Sequence, residues 1–575
     1  MAIFEKETTN KVLLDDTEPL TCSIENWKNV NGHTEFIIKV YRGPFSDETW
    51  RISKRYNDFY KLHTYLQSSG LPLSLPPKKL IGNLDPDFIN ERLRGLQKYL
   101  NFILMNPILV SSLPARSFID PANYCQPFSE VALQHVSLAL RGEVGWEVVS
   151  PLTEIGWRIR KHYYHLKSKS TPNVEYWGSW TDFGPDKYLD DKDMHSFFKC
   201  LAQIQHPYIN PIEMALCTDV GGLVVRLSQK EGSLRDILCN SKPKQSFLKK
   251  YGNPKGHKPL EVKLIALYGR QILEALKFLH DKGIPYGHLH TGNVIIENNR
   301  VRLLDIENGV LGVPSFYRPY FMQHRKINSL EAIDVYCFGH TLYEMTFGAP
   351  LHESIVENFP DCSPSIKPVL QSILSFDACK TGLPTIEGLL NEPFFATVAN
   401  NATNAEKTVL KIPTSTKEKL KLVRNQIEER LKDEQKMVRS QKRLVKVQEM
   451  MSSEEEKKKQ RHKQRQEQKL MVKEQQKKQE KLRQMSTEGD KTDSVNSSTA
   501  TSVGTATPPS RTSSQVPSPP PPPPPPPPLM ANGQATQPQD KPPSLPKTAT
   551  DDRSALLGSI CNFNKSALRK TQARK

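Results

Sequence analysis

Arg55-Tyr56, Lys78 and Arg92 lie apart in the sequence, yet together they have the makings of a phosphate site. A guanidinium presents planar donors that match two phosphate oxygens, a Lys adds a compact charge, and a Tyr face supports a flat-lying ring. If the three places converge they form a pocket for an inositol phosphate; taken singly, each is an ordinary solvated charge. A second group lies near the C-terminus. Leu556, Leu557 and Ile560 recur at helical spacing inside an otherwise polar stretch, followed by Leu568-Arg569-Lys570-Thr571. No core of their own can bury these apolar residues, so they suit a partner's groove, with Arg569 and Lys570 attracted to an acidic surface; the alternative is a chance amphipathic turn that binds nothing. The nine cysteines are dispersed and form no CxxC pair, which points away from zinc and toward a reducing, cytoplasmic setting.

The elements that must position these residues can be read from pattern. Leu20 to Tyr56 predicts three strands, with Asn31-Gly32 as a hairpin turn. The segment DFYKLHTYLQ predicts a helix ended by Gly70, and the proline-rich LPLSLPPKK a loop. FINERLRGLQKYLNFIL predicts a second helix, with Phe88, Leu93, Leu96, Leu100 and Ile103 on its apolar face. From about Glu130 to Ala396 short apolar strands alternate with helical patterns, as in a two-lobed α+β domain. Lys417 to Met485 is almost wholly Lys, Arg, Glu and Gln, with a thin stripe at Leu420, Ile427, Leu431, Val438 and Val445, and is read as a solvated charged helix. Residues 487–547 are Ser, Thr, Pro and Gln rich, with an unbroken run from Pro519 to Pro528, and no packed structure is expected there.

A net charge of +17 at pH 7 draws the chain to anionic surfaces. Nucleic acid is not expected, because the basic segment is mixed with Glu and lacks aromatics for base stacking. No apolar run reaches the roughly 18 residues that span a bilayer and no signal peptide opens the chain, so membrane contact is expected to be peripheral.

Residues 14–126 resemble the PX family: Arg55-Tyr56-Asn57-Asp58-Phe59 sits at its basic-aromatic motif, the proline-rich loop ends in Lys78, and FINERLRGLQKYL matches its final helices. The resemblance implies a phosphoinositide reader preferring phosphatidylinositol 3-phosphate. Arg55 would take the 3-phosphate, Tyr56 stack beneath the ring, Lys78 take the 1-phosphate and Arg92 hold the ring hydroxyls.

Residues 130–400 resemble the protein-kinase family through GSLRDIL, FLHDKGIPYGHLHTGNVII, LLDIENG, DVYCFGHTLYEM and LPTIEGLLNEPFF, in order and at the right spacing. Phosphoryl transfer needs a Gly-rich loop, a strand Lys paired to a helix Glu, an Asp facing the substrate hydroxyl, and metal-binding Asn and Asp. His288 stands where the family has its catalytic Asp, while Gly287 and His290 replace the supporting Arg and Lys. Asn293 and Asp305 remain at the metal positions, as remnants or as a residual nucleotide and Mg²⁺ site. The Gly-loop position, Glu154 to Lys161, keeps one glycine; Trp177 stands at the strand Lys and Phe197 at the helix Glu. The resemblance therefore implies a pseudokinase with no cofactor. An active atypical serine/threonine kinase recruited to membranes is the competing reading.

The C-terminal 548–571 segment resembles the WASP-homology-2 class of actin-monomer-binding motifs, which implies Arg553, Leu556, Leu557 and Ile560 on a helix in the actin cleft and Leu568, Arg569 and Lys570 on the extension. The proline run suits profilin or WW-type readers. The expected architecture is multidomain α+β: a PX domain with a three-stranded antiparallel sheet plus helices, a two-lobed kinase-like domain, a charged helix (415–486) and a disordered proline-rich tail. The expected role is an adaptor for integral membrane proteins such as receptors or transporters, at endosomal or plasma membranes.

Overall fold

The computed structural model describes residues 17–487 except 18, 44–47, 79–84, 157–158, 229–231, 243–244, 253, 255, 397 and 399–409. The 548–571 segment, expected from its sequence to bind actin, and the proline run lie outside the described residues.

Three antiparallel strands open the chain: β1 (Leu20–Val30), β2 (His33–Arg42) and β3 (Thr49–Arg55). Asn31 and Gly32 join the first two with φ of 46° and 77°, the left-handed pair that a tight hairpin of this twist requires. The sheet's inner residues Phe36, Ile38 and Val40 bury against α1 (Tyr56–Leu66) and α2 (Pro86–Met105). The inward face of α2 is Ile89, Arg92, Leu96, Tyr99, Leu100 and Ile103. The sequence placed Leu93 and Phe88 there as well: Leu93 is half-buried against this core, whereas Phe88 stacks on Arg92, whose guanidinium is held by aromatic rings and a carbonyl.

The kinase-like part begins with α3 (Phe128–Leu140) and a five-stranded antiparallel sheet of β4 (Trp146–Pro151), β5 (Lys161–Ser168), β6 (Glu175–Asp182), β7 (Met214–Cys217) and β8 (Gly221–Leu227), in the order β4-β5-β6-β8-β7. Helix α4 (Asp191–Leu201) packs between β6 and β7 in sequence and buries Phe197 in the core. The helical lobe follows with α5 (Leu234–Leu238), α6 (Phe247–Tyr251), α7 (Val262–Asp281), the hairpin β9 (Val294–Glu297) and β10 (Arg300–Leu303), and α8 (Leu330–Phe347). The last is buried nearly all round, which is why its sequence shows almost no amphipathic stripe.

The two folded parts meet directly. Leu248 of α6 packs into the core of the first domain, and a Cβ on Gly252 would meet the Ser69 carbonyl oxygen at 2.5 Å. Only a glycine permits that approach.

Helix α9 (Thr414–Thr487) corrects the expectation of a fully solvated charged helix. Its first turns bury Leu420, Val423 and Leu431 against the kinase-like core, with Ile427 half-buried beside them. Gln435 donates to three backbone carbonyls, of Phe321, His324 and Ile327, at 2.8–3.3 Å. Arg430 pairs with Asp186 at 2.9 Å and Glu434 at 2.8 Å, while Arg318 pairs with the same two carboxylates. Further along, Met450, Leu470 and Met471 are exposed, so the solvated reading holds for that stretch. No helix among the described residues is long and apolar enough to cross a membrane.

Candidate functional site

The first site is assembled around the junction of β3 and α1. Arg55 ends the strand and caps the helix, its backbone N–H donating to Asp58 at 3.0 Å, which leaves a half-exposed guanidinium 3.7 Å from the same carboxylate. Tyr56 follows and donates its hydroxyl to the Pro76 carbonyl at 2.6 Å. Arg92 lies on the other side, with its guanidinium 4.3 Å from the Tyr56 ring centre and 4.3 Å from that of Phe88, while Nη2 donates to the Pro77 carbonyl at 3.0 Å. A Cβ on Gly95 would stand 2.5 Å from Pro76 Cγ, so this glycine lets the proline loop lie flat on α2. The loop is thus clamped from three sides and presents Lys78, exposed, at its end.

Tyr56, Arg92 and the proline loop therefore meet in one place, with Arg55 preceding Tyr56 in the chain and Lys78 following Pro77. The Nε of Arg92 is buried and lacks an acceptor, an unsatisfied donor of the kind an incoming oxygen would satisfy. The Tyr56 ring carries the Arg92 guanidinium against it, a contact that sequence reasoning did not foresee. Phe88 completes that sandwich, and its i, i+4 spacing from Arg92 on a helix was the available signal.

The second site is the cleft between the lobes of the kinase-like part. Asp334 of α8 fixes its floor, accepting from the Gly287 backbone N–H at 2.8 Å and pairing with His280 at 2.8 Å. Gly287 has φ of 68°, and Asn293 donates its side-chain amide to the His288 carbonyl at 2.9 Å. His288 and His290 are both buried. His290 accepts from the Gly292 N–H through Nδ1. Asp305 sits in the left-handed region, φ 61°, an unusual backbone for a residue with a side chain.

What faces Asp305 is Lys161. Its Nζ lies 2.8 Å from Asp305, 2.9 Å from Asn308 Oδ1 and 3.3 Å from Glu307, and lysine and carboxylates alike are buried. Glu307 in turn takes Arg226 of β8 at 2.7 Å and 3.3 Å. Burial by itself drives the Glu307 carboxyl up, but Arg226 and then Lys161 outweigh it and hold it at about 2. The sequence assigned Lys161 to the end of the degraded Gly-rich loop and found no strand lysine at Trp177. Trp177 does stand on β6, but the first residue of the neighbouring strand β5 supplies the ammonium. Gly156, with φ of 86°, is the retained loop glycine, and a Cβ there would stand 2.7 Å from the Tyr163 ring. Farther along the cleft Arg235 forms a two-pronged pair with Glu344 at 3.0 Å and reaches Thr291 at 2.9 Å. The cations named here are matched by buried carboxylates of the chain itself.

Comparison with known proteins agrees with both parts. The PX domain family model matches residues 42–122. The chain is 51% identical over 449 residues, 78% of its own length and 77% of the other's, to the PX domain-containing protein kinase-like protein of Mus musculus. It is 31% identical to the Slowpoke-binding protein of Drosophila melanogaster over 45% of this chain and 54% of that protein. A Dictyostelium discoideum protein named as a probable inactive serine/threonine-protein kinase, slob1, is 33% identical over 44% of this chain and 48% of its own. A PX domain implies phosphoinositide binding and association with membrane, and relatives of the second domain are kinase-like, some of them named inactive. With the PX family model matching its first domain, the two-lobed fold of its second and identity across most of its length, the chain belongs to the PX domain-containing protein kinase-like family.

Proposed function

We propose that this protein is a peripheral-membrane adaptor. It reads a 3-phosphoinositide, phosphatidylinositol 3-phosphate, through Arg55, Tyr56, Lys78 and Arg92, and its kinase-like domain is an interaction module without phosphotransfer. The observation that carries the reading is the 2.8 Å contact between Lys161 and Asp305. A nucleotide-bound Mg²⁺ needs that carboxylate as an oxygen ligand, and here a buried ammonium holds it; a second cation beside Lys161 would be repelled in a low-dielectric site. On this reading Asp305 stays with Lys161 and serves as a structural remnant. His288 stands where the proton acceptor would be, and its burial removes it from a substrate hydroxyl. Radiolabelled ATP with Mg²⁺ or Mn²⁺, offered with generic protein substrates and with the protein itself, is expected to give no transfer. Transfer that disappears in His288→Ala or Asp305→Ala would establish the atypical kinase instead.

The adaptor's cargo is an integral membrane protein, a receptor or transporter at the endosomal or plasma membrane; a relative named for binding Slowpoke supports a membrane-protein partner. The tail, on its sequence, engages monomeric actin through Arg553, Leu556, Leu557, Ile560, Leu568, Arg569 and Lys570, and the proline run engages profilin or WW-type readers.

A further inference from the structure

A cavity of about 410 Å³ opens where five parts of the chain meet: the start of β1, the end of α2 with the turns that follow it, the β4–β5 loop, the 313–323 segment, and α9. It belongs to neither site described above. A water's share of liquid volume is about 30 Å³, and small-molecule pockets begin near 300 Å³, so the space suits an organic ligand. Its walls are largely apolar, with Leu20, Leu104, Val110, Phe316, Met322 and Val438 among them.

Its polar lining has one sign. Arg116, Arg160, Arg318 and Lys442 face the cavity, and among the described residues that line it none is acidic. Two of them have neutral acceptors at hand: Arg116 donates to the Val110 carbonyl at 2.8 Å and Lys442 to the Gln323 side chain at 3.0 Å, whereas Arg160 donates to the Phe183 carbonyl at 2.9 Å and also feels the Asp182 carboxylate. Arg318 spends its two terminal nitrogens on Asp186 and Glu434, but it is 8% exposed and its Nε is buried with no acceptor. Positive charge concentrated between apolar walls attracts an anion more strongly than the same charge in water. A ligand that matches both halves has an apolar body and one anionic head.

We propose that this cavity binds a long-chain carboxylate, with its acyl chain against the apolar walls and its head toward Arg116 and Lys442. A carboxylate's two oxygens match the guanidinium fork. The walls come from the PX domain, both lobes of the kinase-like domain and α9, so the ligand binds only their assembled arrangement and stabilises it by mass action.

The test uses the full chain and a fluorescent C11 carboxylate, dansylamino-undecanoate, displaced by competitors. Saturable binding, reversed by palmitate but not by methyl palmitate, is expected. Val438→Trp, which fills the cavity, should abolish it, and Arg116→Gln with Lys442→Gln should weaken it tenfold or more. Vesicle binding through the PX domain should persist in these variants and serves as the folding control. The proposal is overturned by absence of saturable binding, by equal displacement with methyl palmitate, or by indifference to both sets of variants. Tenfold better displacement by lysophosphatidate would make the ligand a phosphate ester rather than a carboxylate. Binding seen only after deletion of residues 1–16 would give the cavity to the chain's own N-terminal segment, which joins it at Thr17.

Discussion

Removing the Glu307 carboxylate should be among the most destabilising single changes in the kinase-like domain. Glu307 is fully buried and bridges Lys161 at 3.3 Å and Arg226 at 2.7 Å. Glu307→Leu leaves Lys161 with Asp305 and Asn308, but Arg226, itself buried, loses both of its hydrogen bonds to a carboxylate. Stranding one member of a buried pair costs about 3 to 5 kcal/mol, whereas replacing both members by apolar residues is often close to neutral. Glu307→Leu combined with Arg226→Met should therefore recover most of the loss. Urea unfolding of the four proteins, wild type, the two single variants and the double, measures the coupling directly. Acid should act in the same sense. A carboxyl held at about 2 contributes stability that is complete above its unfolded value near 4.3 and is lost as pH falls toward 2, and Glu307→Leu should flatten that acid limb. A loss below about 1 kcal/mol in Glu307→Leu, or a double variant no more stable than the single one, would refute the reasoning.

Arg92→Ala should weaken binding to vesicles carrying phosphatidylinositol 3-phosphate roughly tenfold or more, the equivalent of about 1.5 to 3 kcal/mol for one charge-assisted contact, as read by sedimentation. Gln435→Leu should remove the side-chain donor shared by the Phe321, His324 and Ile327 carbonyls, the first two of which keep a backbone N–H, and raise amide exchange across the first turns of α9, with unchanged exchange there contradicting its docking. Burial lowers His206 to about 4 and His340 to about 3, so the unfolded chain binds protons more readily than the folded one below pH 6.5. Stability should fall as pH drops from 6.5 toward those values, and His340→Phe should remove part of that slope in a denaturation series. A peptide spanning Thr550 to Lys575 should bind monomeric actin at tens of micromolar or better, weaken with salt, and lose most of its affinity on replacing Leu556 and Leu557 with Ala.

Much of the first domain was legible because its signals are local. Asn31-Gly32 dictates its hairpin, and Arg55-Tyr56 stands at a strand-to-helix junction that the pattern itself marks. The cleft was less so. Lys161 and Asp305 are joined through space from different lobes, and so are Arg226 and Glu307; a lysine sought on β6 was supplied by β5. Nothing in the linear order marks an exchange between adjacent strands, whose residues stand side by side only once the sheet is paired. The docking of α9 was hidden for another reason. Its stripe at Leu420, Ile427 and Leu431 was visible, but much of its attachment is polar, through Gln435, Arg430 and Glu434. In composition such residues look the same whether they face solvent or a row of backbone carbonyls.

The central claim is that the chain is held at membranes by a phosphoinositide pocket and not by its net charge alone. The direct measurement is co-sedimentation of the full chain with vesicles of equal surface charge, one set carrying phosphatidylinositol 3-phosphate and the other phosphatidylserine, for the wild type and Arg55→Ala. The account predicts strong binding of the wild type to the first set alone and its loss in the variant, while phosphatidylserine binding stays weak and the same in both. Equal binding to both sets, or full retention of phosphatidylinositol 3-phosphate binding by Arg55→Ala, would contradict it.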